Sequence, residues 1–275
     1  MVIICAYYLY LQRLDVRKSC LGFTSKLSGS KNSVFFDPVK DQIPNGATLL
    51  GVVLSSDKTN ISVMTGNRMA HPLLMSLANI DPDIRSKGSL HVHVLLALLP
   101  VASFLHPKMH VHSLLSNCLI HESLDFVLQP LKVAANVGIM MSNPLGSLCY
   151  CFTPLVAYIT NTPEQCLLSC VSSKASPISI ATHKEFRDSC PHPPRTAAKT
   201  LSDIEQACTV ADPDDWEGFL KVSRCHYLNG VHKPFWRNWV LCNPSIFFNP
   251  EVLHPAMTVD FDQIQWASTR GPIDA

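Results

Sequence analysis

The stretch TLLGVVLSSDKTNISV, residues 48 to 63, decides how the chain is expected to fold. It spans two apolar runs that are rich in β-branched residues, residues 48–55 and 60–64, and a short polar segment separates these runs. Such runs predict buried strands, and the polar segment predicts the turn of an antiparallel hairpin between them. Asp57 lies in this segment, so a carboxylate is expected where one core strand ends and the next begins.

Asp57 has two interpretations from its position alone. Hard divalent cations prefer carboxylate oxygens, and a pair of such cations can clamp the attacking and leaving oxygens of a phosphodiester. A carboxylate at a strand end therefore fits metal-dependent nuclease chemistry. Asp57 and Asn60 fit a plain turn equally well, because Asp and Asn favour turns for local reasons.

Composition limits the classes of protein to which the chain can belong. Its 275 residues are 47% hydrophobic and 16% charged, with a formal net charge of +1, which argues against disorder and against general attraction to nucleic acid or membranes. The N-terminal apolar run of about ten residues is too short to span a bilayer. Eleven cysteines without a CxxC motif favour free thiols in a reducing compartment. We therefore expect an intracellular protein that is neither secreted nor membrane-bound.

Apolar patterning farther along the chain predicts a mixed α/β fold. The three- and four-residue spacing of apolar side chains over residues 112–137 predicts the longest helix, interrupted at Pro130. Asn161 or Thr162 is expected to cap a later helix that has Pro163 in its first turn. Further strands are expected within residues 71–80, 89–100 and 138–160, and two short amphipathic helices within residues 200–228.

Changes in composition divide the chain into four predicted segments. Serine and proline are enriched after residue 170, which is typical of a linker or an extended loop. The predicted segments are an unmatched N-terminal part (1–33), the first part of a core (34–170), a Ser/Pro-rich linker (171–200) and a helical, irregular region (201–275).

Histidine and cysteine pairs suggest metal binding only weakly. Neither group shows an established ligand pattern, so half-buried or solvent-facing side chains are the favoured interpretation. The candidates are His91, His93, His106, His110 and His112, and, for zinc, Cys149, Cys151, Cys166 and Cys170.

The segment CHYLNGVHKPFWRNW, residues 225–239, mixes basic and aromatic side chains. Lys233 and Arg237 could neutralise phosphates while Trp236 stacks on a base, so these residues are candidates for nucleic-acid binding. The alternative is that Phe235 and Trp236 anchor a loop onto the core.

Several blocks of the sequence resemble one family of transposases. The blocks SSDKTNIS and GNRMAHPL (within residues 55–73), GIMMSNPLGSLCYCFTPLVAYITNTPEQ (138–165) and HKPFWRNW (232–239) are similar to the transposase of Plavaka-type fungal DNA transposons. These transposons belong to the Kyakuja–Dileera–Zisupton superfamily. The resemblance extends from about residue 34 to the C-terminus.

The resemblance implies an RNase H-like core of the DD(E/D) type, in which two Mg²⁺ ions serve to cut transposon ends and join them to target DNA. It makes Asp57 the first catalytic, metal-binding carboxylate. The second acid falls on Asn161, whose neutral amide would weaken the binding of a hard dication. Glu164 matches the rest of that motif and is the candidate substitute, although a shift of three residues gives it poor geometry.

The resemblance also implies that the core is incomplete. The segment PEVLHPAMTVDFDQIQW, residues 250–266, departs from the family pattern, and the third acid is expected beyond it. We therefore expect a truncated RNase H-like core, a mixed sheet flanked by helices, with an irregular, Pro-rich C-terminal part.

Three functions stay open at this point. The favoured one is a transposon-derived remnant of a cut-and-paste transposase that is catalytically inactive and binds no Mg²⁺ tightly. The second is a non-catalytic DNA- or protein-binding protein derived from a transposase, and the third is an active Mg²⁺-dependent strand-transfer enzyme. The expected partner is DNA, as the transposon ends and target of the ancestral enzyme, and the expected location is the nucleus if the protein functions. The sequence gives no indication of oligomeric state.

Overall fold

The structure of the chain is a computed structural model that describes residues 43–60, 69–80, 82–85, 92–142, 146–240 and 242–248. The predicted N-terminal segment, most of the second apolar run, His91 and the tail after residue 248 lie outside these residues. In chain order the described elements are β1 (Thr48–Leu49), β2 (Val52–Ser56), β3 (Thr59–Asn60), β4 (Met69–Ala70), β5 (Pro72–Leu77), α1 (Pro82–Arg85), β6 (Val94–Leu98), α2 (Met109–Val137), β7 (Ile139–Ser142), β8 (Leu148–Phe152), β9 (Leu155–Ile159), α3 (Thr162–Leu168), α4 (Ala197–Val210), α5 (Trp216–Cys225) and α6 (Pro244–Phe247).

A four-stranded sheet with the order β6-β5-β2-β9 forms the centre of the fold. Strand β2 runs antiparallel to β5 and parallel to β9, so both of its edges are hydrogen-bonded. Val52 and Leu54 are fully buried, and each such side chain stabilises the fold by about 1.5–3 kcal/mol. The mixed α/β class predicted from the sequence is confirmed.

The predicted hairpin between residues 48–55 and 60–64 is wrong. Strand β3, the described start of the second run, pairs with β4 and not with β2. The reason is that an apolar strand buried on both faces needs a partner along each edge, and β5 and β9 occupy both edges of β2. The predicted strands within residues 71–80 and 89–100 are present as β5 and β6.

A second, three-stranded sheet has the order β1-β8-β7. Strand β1 is parallel to β8, as β2 is to β9, and bonds from the Leu50 amide to the Phe152 carbonyl and from the Val52 amide to the Pro154 carbonyl join the two pairings. The segments 48–56 and 148–159 therefore run side by side through both sheets and connect them.

Helix α2 is the longest described element, at 29 residues, and it runs through Pro130 without a break. The predicted interruption is therefore wrong. Pro130 is exposed, whereas Leu124, Leu128 and Leu131 on the opposite face are buried in the core. Packing of this apolar face holds the helix together even though the proline removes one backbone hydrogen bond.

The two amphipathic helices predicted within residues 200–228 are present as α4 and α5, which begin at the capping side chains of Thr196 and Asp215. Residues 171–196 before them form an irregular loop with isolated bridges, in which buried Arg195 donates to the Ser176 and Ser179 carbonyls. None of the described helices is long and apolar enough to cross a membrane.

Candidate functional site

The ends of three strands meet at one edge of the central sheet. Ser55 of β2 is in register with Ile159 of the parallel strand β9, and Asp57 and Asn161 each follow two residues later. The structure therefore places these two predicted positions at the same edge. His71 lies there too, because it immediately precedes β5, whose start pairs with the end of β2. We call Ser56, Asp57, His71, Asn161 and Glu164 the strand-end site.

Asn161 is the N-cap of helix α3. Its side-chain oxygen Oδ1 accepts a hydrogen bond from the Glu164 backbone amide at 2.9 Å, and Pro163 lies in the first turn. The prediction that Asn161 or Thr162 caps this helix is confirmed for Asn161. The one carbonyl oxygen that its side chain could offer to a cation is thus engaged within the protein.

Glu164 is 8% exposed and binds two side chains through one carboxylate oxygen. Its Oε1 accepts hydrogen bonds from Ser56 Oγ at 2.6 Å and from His71 Nε2 at 2.8 Å. Ser56 Oγ in turn accepts from the hydroxyl of Tyr158 at 3.0 Å. Burial, together with the nearby Glu164 carboxylate, raises the pKa of Tyr158 well above its ordinary value, so the phenol remains a neutral donor.

This chain of hydrogen bonds can hold β2, β5, β9 and α3 together at the edge of the sheet. Buried polar groups need partners, and here Ser56, His71 and Glu164 satisfy one another. The arrangement is suited to fixing the strand ends more than to presenting an open carboxylate.

A cavity of about 300 Å³ opens at the strand-end site. His71, Asn161 and Glu164 line it together with Lys58, and part of α2 forms another wall. Asp57 is solvent-exposed and does not belong to this lining. An exposed cation, Lys58, therefore lines the cavity, whereas the exposed carboxylate of the strand-end site, Asp57, lies outside it.

The residues predicted to bind nucleic acid have different environments. Trp236 is 1% exposed and donates its indole N–H to the Leu168 carbonyl at 2.9 Å, so its ring is part of the core. Arg237 pairs with Asp125 at 2.5 Å, and Asp125 also binds the buried ammonium of Lys132. Lys233 is exposed. Only Lys233 of the three has a side chain free to meet a large ligand in this conformation.

The side chains around Asp125 explain why Arg237 is held in place. Burial alone would raise the pKa of Asp125, but hydrogen bonds from Lys132 and Arg237 keep it below its ordinary value. The carboxylate therefore stays ionised and retains both cations.

The weak metal candidates can be located in part. His106 and His112 lie close together, with ring centroids 6.4 Å apart, and Cys170 Sγ contacts His121 rather than another thiol. Within the described part of the chain, no group of three or more His, Cys, Asp or Glu side chains is placed to hold a metal ion.

Sequence reasoning missed Ser56, His71 and Tyr158 as members of the site. Ser56 lies directly before Asp57 and His71 lies in the conspicuous GNRMAHPL block, so both were within the motifs that carried the resemblance. The signal that could have identified His71 is a polar residue directly before a buried strand that pairs with β2.

Comparison with known proteins gives one family. A family model described as Plavaka transposase matches residues 29–267, which is most of the chain. No curated protein and no solved structure matches the chain.

Proposed function

We propose, from the premise that the chain belongs to the Plavaka transposase family, that it is a transposon-derived protein that binds DNA but neither cuts nor joins it. The observation that carries the proposal is the use of the Asn161 side chain. Its only side-chain carbonyl oxygen caps helix α3, at the position where the family resemblance expects the second acid.

The course of the central sheet supports an RNase H-like core. Strand β2 is buried, lies between two neighbours and ends directly before Asp57, which is where such a core has its first carboxylate. The parallel neighbour β9 leads to Asn161 at the same edge. The proposed core therefore has both expected positions together, but only one of them is an acid.

The described residues do not fit a site for two Mg²⁺ ions. Such a site needs several carboxylate oxygens directed at the ions. The strand-end site has two carboxylates: Asp57 is exposed outside the cavity, and Glu164 is buried with Oε1 bound to Ser56 and His71. We therefore propose that Mg²⁺ served the ancestral enzyme and is not bound tightly by this chain, and we assign no catalytic step to it.

The test is cleavage of supercoiled plasmid DNA by the purified protein in the presence of Mg²⁺ or Mn²⁺, with calorimetry to measure metal binding. We expect no nicking above the background and only weak metal binding. Nicking that depends on the metal and disappears in Asp57→Asn would overturn the proposed loss of activity.

Asn161→Asp, with Asn161→Ser as its matched control, tests the assignment of position 161. Both replacements keep an N-cap oxygen, but only aspartate adds a charge next to the end of β2. We expect Asn161→Asp alone to raise the affinity for Mn²⁺. Equal affinities in the two variants would remove residue 161 from the site.

A further inference from the structure

A second, larger cavity of about 1000 Å³ lies between helices α2, α3 and α5 and the loop after α3. Two lysines and one arginine line it, accompanied by two histidines and one tyrosine. We call this cavity the basic cleft, and its functional lining consists of Lys174, Lys184, Arg224, His110, His183 and Tyr227.

The charge of the basic cleft has one sign. Its lining contains no Asp or Glu, and Lys174, Lys184 and Arg224 are all exposed. None of the three makes an ion pair with a carboxylate within the described ranges, whereas other cations of the chain do, such as Lys132 and Lys199. Since the whole chain has a net charge of only +1, positive charge is concentrated here.

We propose that the basic cleft binds the phosphate backbone of single-stranded DNA. Lys and Arg side chains in a concave surface focus positive potential and attract phosphates, and an aromatic side chain among them can stack on a base. The inference deepens the proposed function, on which it rests, by naming the surface that contacts DNA. It replaces the surface predicted around Trp236, whose ring is buried.

The size of the cleft favours a single strand over a duplex. A cavity of about 1000 Å³ has the volume of a cube about 10 Å on a side, which is narrower than the ~12 Å major groove of B-DNA. A whole duplex therefore does not fit inside it. A single strand can place successive phosphates and an unstacked base within such a space.

Tyr227 is fixed at the edge of the cleft by an unusual backbone conformation. Its φ is +57°, which non-glycine residues adopt rarely, and its carbonyl accepts the Ser172 amide at 2.7 Å. This conformation ends α5 in a Schellman motif, in which the Leu228 amide donates to the Ser223 carbonyl, and the bond to Ser172 ties the end of α5 to the loop after α3.

The basic cleft and the cavity of the strand-end site adjoin the same part of helix α3. Pro163 and Leu167 of helix α3 line both the cleft and the smaller cavity that contains Asn161 and Glu164. A strand bound in the cleft would therefore lie against α3, beside residues that also line the strand-end cavity.

The test is fluorescence anisotropy with a labelled oligothymidine of about 20 nucleotides, longer than the ~4–16 nucleotides that one such binding site covers. Lys174→Glu/Lys184→Glu is compared with Lys199→Glu/Lys221→Glu, which changes the same number of exposed lysines outside the cleft lining. We expect the cleft variant to bind at least about tenfold more weakly and its salt dependence to lose about one phosphate contact per lysine. The control should bind like the unchanged protein.

Tyr227→Leu and Tyr227→Phe separate stacking from charge. Base stacking needs the aromatic ring and not the hydroxyl group, so we expect Tyr227→Leu to lose roughly tenfold in affinity while Tyr227→Phe keeps it. Matching unfolding curves of all variants would establish that the fold is unchanged.

The outcomes distinguish the inference from the function on which it rests. Binding of the unchanged protein to oligothymidine that the cleft variant retains, or that only the Lys199/Lys221 variant loses, would overturn the cleft assignment and leave DNA binding standing. Preferential binding to a duplex of the same length would overturn the single-strand assignment. Absence of binding to either probe would overturn the proposed DNA-binding function as well.

Discussion

The strand-end site and the basic cleft both touch helix α3, but their polar groups are used in opposite ways. At the strand ends, Glu164 and His71 are buried and hydrogen-bonded to each other and to Ser56. In the cleft, Lys174 and Arg224 are exposed and have no described carboxylate within ion-pair distance. In the first region the polar groups therefore stabilise the fold, whereas in the second region they remain available to bind a ligand.

This difference has a physical basis. A buried polar group must keep its partner, since losing it costs the full desolvation of the group. An exposed cation stays hydrated and can exchange water for a phosphate at little structural cost. Changes at the strand ends should therefore alter stability, whereas changes in the cleft should alter binding.

The largest expected effect is on stability, from Glu164→Ala. The replacement would leave the donors of Ser56 and His71 without their acceptor in a buried environment. We expect a loss of about 4 kcal/mol in the free energy of unfolding, measured by urea denaturation. Glu164→Gln keeps an acceptor oxygen at the same place and should lose only about 1 kcal/mol.

Equal losses in the Ala and Gln variants would show that charge, and not the accepted hydrogen bonds, matters at this position. Normal stability of Glu164→Ala would break the comparison, because the strand ends would then not depend on the network.

The next largest effect is a pH dependence of stability from His121, which lies beneath both regions. Its Nδ1 accepts the Phe235 amide at 3.1 Å, and its Nε2 donates to the carbonyl of Leu167, a residue that lines both cavities. Burial, aided by the positive charge of Arg237, lowers the pKa of His121 from 6.5 to about 4. Protonation would convert the accepting Nδ1 into a donor and break the bond from Phe235.

The folded protein therefore binds this proton less readily than the unfolded chain does. The contribution of neutral His121 is complete above pH 6.5 and is lost progressively as the pH falls toward about 4, by about 3 kcal/mol in total. Unfolding free energies at several pH values should fall more steeply for the unchanged protein than for His121→Gln. Parallel curves for the unchanged protein and His121→Gln would refute the assignment. An equally large change on replacement of His183, an exposed histidine of the cleft lining, would remove the contrast between the two regions.

The smallest effect should come from the cap of helix α3. Asn161→Ala removes the acceptor of the Glu164 amide and should cost about 1 kcal/mol, whereas Asn161→Ser should stay within a few tenths of the unchanged protein. Thermal unfolding measures both. If the two variants are equally stable, the Asn161 oxygen is not committed to the helix, and the strand-end site resembles the open cleft more than we propose.

Local patterns predicted much of the fold because they act over short distances in the chain. Runs of apolar residues predicted β2, β5 and β6, and the Asn-Thr-Pro sequence predicted the start of α3 at Asn161. The partner of β2 could not be predicted in this way, since β9 lies about 100 residues farther on and no local signal connects the two.

The candidate site shows the same limit. Asp57 and Asn161 were predicted through a family resemblance, and the sheet does place both at one edge. The role of Glu164 could not be predicted, because its partners Ser56 and His71 are more than 90 positions away. Trp236 and Arg237 resemble a nucleic-acid motif in sequence, but burial and the carboxylate of Asp125 engage them within the protein.

The parallel pairing of β2 with β9 also has a consequence for synthesis of the protein. During translation β5 emerges from the ribosome soon after β2, but β9 follows only after about 100 residues, which takes on the order of ten seconds. One edge of a strand that is largely buried in the folded protein stays unpaired on the nascent chain for that interval. Productive folding therefore depends on shielding that edge, by a chaperone or by transient local structure, until residue 159 has been made.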